Sequence, residues 1–173
     1  SERRQRRLSM IQAEALAKNF QAINSAADLK HAFVFYDDLA LRFMLTGDLS
    51  LLEEGRRYKK IAADTIARMH SVSRSVTLKK LLSDLDKESR LYFGDVERMI
   101  DLYQKTKFPE GGAIEMVAVW GKQFPGHKQS LTLLSSSGRA RLTRIYSVCE
   151  KLLDINRFEL ENVQIRVEEL LEE

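Results

Sequence analysis

The feature that most constrains this 173-residue chain is a run of nearly forty positions in which apolar residues recur in steps of three and four. Ile11, Ala15, Ala22, Ala26, Leu29, Phe33, Tyr36, Ala40 and Phe43 keep that rhythm, with polar Asn19 filling the one gap. Residues three and four apart share one face of an α-helix, so the pattern predicts a single helix from about Leu8 to Leu45. About 38 residues at 1.5 Å each span roughly 57 Å. The small residues Ala15, Ala22, Ala26 and Ala27 would let a partner helix approach closely.

That helix has a clear stop, followed at once by a start. Gly47 stands where a left-handed C-cap is needed, and glycine alone adopts positive φ without a Cβ penalty. Asp48 or Ser50 can accept from the free amides of the next helix, and Ser50-Leu-Leu-Glu53 has the spacing of a capping box. A second helix is expected from about Leu49 to Ser71, with Leu52, Tyr58, Ile61, Ala62, Thr65, Ile66 and Met69 on its buried side and Arg68 among the solvent-facing charges. After the break at Ser71 to Ser75, Ser75 or Thr77 can cap a third helix running from about Val76 to Lys105. Phe108-Pro-Glu-Gly-Gly112 ends it. A short helix, Ala113 to Phe124, is expected next, then a polar break from Gly126 to Ser137. The last helix is expected from about Arg139 to Leu171, with a seam at Leu142, Ile145, Cys149, Leu152, Val163 and Leu170.

Composition agrees with long helices. Only 8 Gly and 2 Pro are spread along the chain, and 44% of residues are hydrophobic, enough to bury a core in a single domain covering residues 1–173. The expected fold is all-α: a four-helix bundle of antiparallel neighbours, with long N- and C-terminal helices side by side and one extra short helix. The net charge of +3 owes much to Arg3, Arg4, Arg6 and Arg7, and the rest is near balance, which leaves no nucleic-acid footprint. No run of about 18 apolar residues occurs within the chain, so nothing in it predicts a bilayer span.

Arg42-Phe-Met-Leu-Thr-Gly-Asp48 followed by Leu52 resembles the R-x-x-L-L-T-G-D-x-x-x-L signature of CHASE3-type sensor domains. The resemblance implies an extracytoplasmic, periplasmic four-helix-bundle domain of an inner-membrane bacterial receptor, such as a two-component histidine kinase or a chemoreceptor. It further implies a module that is not itself an enzyme, flanked by membrane helices, that signals by helix rearrangement. Receptors of this kind work as dimers, so a parallel homodimer through the long N-terminal helix is expected. The basic opening Arg3 to Arg7 motivates the alternative, a cytoplasmic helical protein-protein interaction module, because short positive flanks tend to stay inside.

The residues offer no catalytic constellation. A di-iron bundle needs paired Glu-x-x-His motifs, and Asp28-Leu-Lys-His31 is the nearest approach; His31, His70 and His127 lie in separate segments, so no metal and no cofactor are expected. Cys149, the only cysteine, reads as a buried structural thiol. A ligand site is expected at the end of the bundle that holds Gly47. Arg42, Trp120 and His127 would meet there with Tyr36 below them, offering a cation, an aromatic wall and a donor to a small carboxylate. Arg42 has a plainer reading as a dipole-compensating or salt-bridged cation, and Tyr36 and Trp120 as core. The polar residues Asn19, Asn156, Glu159 and Arg166 interrupt apolar seams and mark where two alternative packings would differ least.

Overall fold

The structure, a computed structural model, describes residues 1–73, 75–105 and 125–172, with side chains except those of Asn19, Lys105, residues 125–135, Leu160, Val163 and Val167. Four helices account for nearly all of it: α1 (Glu2–Thr46), α2 (Leu49–Val72), α3 (Val76–Lys105) and α4 (Pro125–Glu172). The expected short helix from Ala113 to Phe124 lies outside the described residues.

α1 begins earlier than its apolar pattern, at Glu2, because Ser1 Oγ accepts the Arg4 N–H at 3.3 Å and caps it. It ends as expected. Gly47 has φ 71° and ψ 11°, and its N–H donates to the Phe43 carbonyl at 2.7 Å. The next cap falls to Asp48, whose Oδ1 accepts the Ser50 N–H at 3.0 Å and the Ser50 hydroxyl at 2.8 Å. With its hydroxyl engaged there, Ser50 sits inside the helix, and the capping box at Ser50 to Glu53 is not formed. Ser75 caps α3 by accepting the Leu78 N–H at 3.3 Å.

The largest departure is in α4. It opens on Pro125, a position where a missing N–H costs nothing, and continues unbroken through the expected polar break and Ser135-Ser-Ser-Gly138. Tertiary contacts outweigh the weak local propensity there. Ser137 Oγ donates to Asp95 Oδ2 at 3.2 Å, and the Arg139 guanidinium forks onto Asp37, which holds this stretch against α3 and α1.

α1 packs beside α2 and α4, and α3 beside the same two, so the helices form a four-cornered, all-α bundle with α1 and α3 on a diagonal. Cross-helix pairs set the directions. Lys30 meets Glu150 and Asp37 meets Arg139, so α1 and α4 run antiparallel; Arg68 with Ser25, and Lys59 with Glu97, orient α2 against α1 and α3. The seam of α1 faces inward, with Ala26, Leu29 and Phe33 almost wholly buried against Ile66, Leu82, Leu85, Ile145 and Leu152, and with Phe43 buried edge-on to Tyr103 at 5.0 Å. Burying each of the larger side chains contributes about 1.5–3 kcal/mol before the entropy of ordering the chain is subtracted. Ile61, expected on the buried side of α2, faces outward instead.

Two glycines respond oppositely to a methyl group. A Cβ on Gly47 would stand 3.0 Å from the Tyr103 hydroxyl in a backbone conformation L residues avoid, so Gly47→Ala is expected to lower stability by about 1–2 kcal/mol. A Cβ on helical Gly55 would meet the Tyr36 ring at 3.9 Å, an ordinary contact, so Gly55→Ala is expected to raise stability by up to about 1 kcal/mol. Urea midpoints measure both, and shifts in the same direction would contradict these backbone assignments.

Candidate ligand-binding site

Because α2 and α3 stop at a tight turn while α1 and α4 continue past it, the core is open at that end. Ser73 closes α2 in extended backbone, with its N–H on the Met69 carbonyl at 3.1 Å, and Ser75 opens α3 two residues later. A cavity of about 580 Å³ lies between this turn and the flanks of the two long helices. Ligand pockets fall in the range of roughly 300–1,000 Å³. Met69, Val72, Leu78, Leu82 and Leu152 make its apolar wall, and Lys18, Ser25, Arg68, Asn156 and Glu159 supply polar groups.

Two of the polar groups facing this space have no hydrogen-bond partner among the described residues. Asn156 is 4% exposed, yet its carboxamide makes no hydrogen bond with the described residues. Ser73 Oγ is the one buried side-chain polar atom without a partner among the described residues. A buried polar group left unpaired costs about 1–3 kcal/mol. Arg68 reaches across from α2 to place Nη2 at 3.4 Å from Ser25 Oγ, a long bond that engages one of its five N–H donors.

The residues expected to form a site lie elsewhere. Arg42 is exposed, with Nε 3.1 Å from Asp38 Oδ2 one helical turn away. Tyr36 is buried among aromatic rings, edge-on to Phe93 at 4.7 Å and to Tyr92 at 5.8 Å, and borders a smaller cleft of about 220 Å³ with Gly55, Lys59 and Glu97. Arg42 does not border that cleft. Trp120 lies outside the described residues; His127 falls within α4, with its side chain outside them. Of the residues lining the 580 Å³ cavity, Asn156 and Glu159 carried a sequence signal as polar interruptions of an apolar seam. Arg68 and Ser73 carried none, since one reads as a solvent-facing charge and the other as part of a break.

Two ionic clusters hold the opposite half of the bundle. Asp37 accepts the Tyr92 hydroxyl at 2.9 Å and the Arg139 Nη1 at 3.0 Å, with the second guanidinium nitrogen on its other oxygen. Asp95 is 3% exposed and accepts Arg141 Nε at 3.0 Å together with Arg98 and Ser137. The Arg139 fork on Asp37 and the separate bonds from Arg98, Ser137 and Arg141 on Asp95 engage both oxygens of each carboxylate. Among the described residues no group of His, Cys, Asp and Glu is placed to hold a metal ion.

Burial holds the Tyr92 and Tyr36 hydroxyls well above the ordinary phenol range, with Asp37 adding to the effect at Tyr92 and Glu97 at Tyr36. Burial also pushes the Cys149 thiol up to about 12. The thiol is fully covered between Ile145 and Leu152 on the inner face of α4, as a structural cysteine would be. The Arg139 guanidinium is held above its usual range, first by its hydrogen bond to Asp37.

Comparison with protein-family models, curated proteins and solved structures finds no match for this chain.

The raised phenol and thiol groups set the alkaline limit of the fold. Each is neutral when protonated and is held neutral in the folded state. The stability they contribute is therefore complete below their ordinary values, 9.0 for the thiol and 10.0 for the phenols, and is lost as pH climbs above those values. The urea midpoint should stay flat through neutral pH and fall above about pH 9. Cys149 should react with a thiol reagent at pH 8 only as fast as the chain unfolds; rapid reaction of the native protein would contradict its burial.

Proposed function

We propose that this chain is the extracytoplasmic sensory domain of a bacterial transmembrane signalling receptor, in the first instance a two-component histidine kinase, and that it has no catalytic role of its own. The observation that carries the reading is the pairing of the first and last helices. α1 and α4 lie side by side and run on past the α2–α3 turn, by roughly 16 and 13 residues, or ~24 and ~20 Å at 1.5 Å per residue. A sensor that answers by helix rearrangement needs such an arrangement, in which a shift between two helices at the level of the core reaches their far ends as a displacement. Asn156 beside the junction, almost wholly buried and without a hydrogen-bond partner among the described residues, supports it, because an imperfectly paired level of the core lets two packings differ by only a few kcal/mol.

On this reading the domain is periplasmic and anchored by membrane helices before and after it. No helix among the described residues is long and apolar enough to cross a membrane. The anchors would therefore be flanking segments. Apolar spans of about 20 residues are expected in the gene on both sides of this stretch, and their absence would overturn the reading.

The homodimer belongs to the same proposal, but through a different face from the one its small residues suggested. Ala26 of that seam is fully buried inside the bundle, while Met10, Phe20, Val34 and Leu41 are exposed on the outside of α1. In the full-length receptor in membranes, Phe20→Cys in a Cys149→Ser background should form a disulfide-linked dimer on mild oxidation. A parallel pair is ruled out if neither that position nor Val34→Cys cross-links.

The second reading is a cytoplasmic helical interaction module. It draws on the four exposed arginines Arg3, Arg4, Arg6 and Arg7 and on exposed Met10, Phe158 and Ile165 in the overhanging helices, which would offer a basic-edged apolar surface to a partner helix. The flanking sequence separates the two.

A further inference from the structure

We infer that the 580 Å³ cavity at the α2–α3 turn binds a small monocarboxylic acid with an apolar body, its carboxylate on Arg68 and Lys18 and its hydrocarbon against Leu78, Leu82 and Leu152.

The charge balance of the lining selects the ligand class. Lys18 and Arg68 face one carboxylate, Glu159, and none of the three makes an ion pair with the described residues. The other cross-helix charges of the bundle are handled differently: Lys30 with Glu150, Lys59 with Glu97 and Arg139 with Asp37 are all paired. The described lining therefore carries one surplus positive charge. A single carboxylate matches it, whereas a dianion such as a phosphate monoester would add a charge that Glu159 repels. Among the described residues the guanidinium of Arg68 engages only one of its five N–H donors, and its planar fork fits a carboxylate through two parallel hydrogen bonds.

The rest of the cavity suits the remainder of such a molecule. A space of about 580 Å³ is far larger than the roughly 30 Å³ of one water, so a single ordered water would not fill it. Its apolar wall is lined by side chains of α2, α3 and α4, where a short aliphatic chain or one aromatic ring would displace water from hydrocarbon. The Asn156 carboxamide can both donate and accept, and the Ser73 hydroxyl is already dehydrated, so a ligand that engages Ser73 meets a polar group whose cost of burial is already incurred.

The position also explains how occupancy would be felt. The lining comes from all four helices, including Lys18 to Ser25 of α1 and Leu152 to Glu159 of α4, so a bound molecule touches both long helices where they leave the bundle. Binding itself follows from the cavity; a signalling consequence rests on the sensory reading proposed above.

Calorimetric titration of the 173-residue chain with benzoate and hexanoate, against the neutral isosteres benzamide and hexanamide, tests the inference. At least one acid should bind, with its amide at least tenfold weaker. Arg68→Gln and Lys18→Gln should each weaken the acid about tenfold or more, and both positions are exposed, so the fold should survive, as far-UV circular dichroism will check. Asn156→Asp, which adds a second carboxylate, should weaken acids more than amides, and Arg42→Ala should change nothing. The inference is overturned if neither acid binds, if the amides match the acids, or if both cation variants bind like the parent. Such a failure leaves the sensory reading standing, since that reading is decided by the flanking spans; missing spans would equally leave a positive titration intact.

Discussion

Four aromatic rings hold the bundle together across its diagonal. Helices α1 and α3 are not adjacent, and only long side chains can bridge them; Phe33 and Tyr36 from one meet Tyr92 and Phe93 from the other. Phe33 stacks on Phe93 at 5.5 Å, and Tyr36 meets Phe93 edge-on at 4.7 Å. Offset and edge-on pairs of this kind add about 0.5–1.5 kcal/mol each beyond the area they bury. The cluster then recruits the other two helices. The Tyr92 hydroxyl leaves the rings to reach Asp37, which takes the fork of Arg139 from α4, and Lys59 of α2 lies over the Phe93 ring at 5.8 Å while pairing with Glu97. One level of the bundle thus fixes the relative rotation of all four helices.

The other end is built differently, and the contrast is physical. Around Asp37 and Asp95 the carboxylates are met by guanidinium groups and hydroxyls, so both are paired. Around Asn156 and Ser73 those two side chains have no hydrogen-bond partner among the described residues, the core is open, and two helices that supported the long pair have ended. Beyond that point α1 and α4 continue without them, and the apolar residues Met10, Ile11, Ile165 and Leu171 are left exposed. A well-paired level joined to a loosely specified one is an arrangement in which a small ligand or partner can alter one end without unfolding the other.

Charge is used in two ways in the same molecule. The pairs Lys30 with Glu150 and Lys59 with Glu97 are substantially exposed and add little stability, but they fix register between helices far apart in the chain. Asp95 is buried, and losing Arg141 would leave a charge with too little compensation, which is far more costly than either surface pair. Arg42 belongs to the first kind, tied to Asp38 on its own helix.

The helices themselves were legible in the residues because helical periodicity, glycine at positive φ and serine caps are local physics. α3 runs from Val76 to Lys105 as expected, α2 differs by one residue at its end, Gly47 adopts φ 71°, and the inward seam of α1 from Ala26 to Phe43 forms the core. Even Asn156 stood out, as a polar residue in an apolar seam. The remainder depended on contacts between distant residues, for which local pattern carries no signal. Arg139 and Asp37 are 102 positions apart, and their fork, with Ser137 on Asp95, keeps α4 helical through a serine- and glycine-rich stretch that reads as a break. The choice of Asp48 over Ser50 as cap turned on which side chain reached the free amide first in the folded turn. The side of α1 left for a second copy, and the end of the bundle left open, were decided by where α2 and α3 stop against the longer pair, because the cavity exists only between elements that the chain brings together after folding.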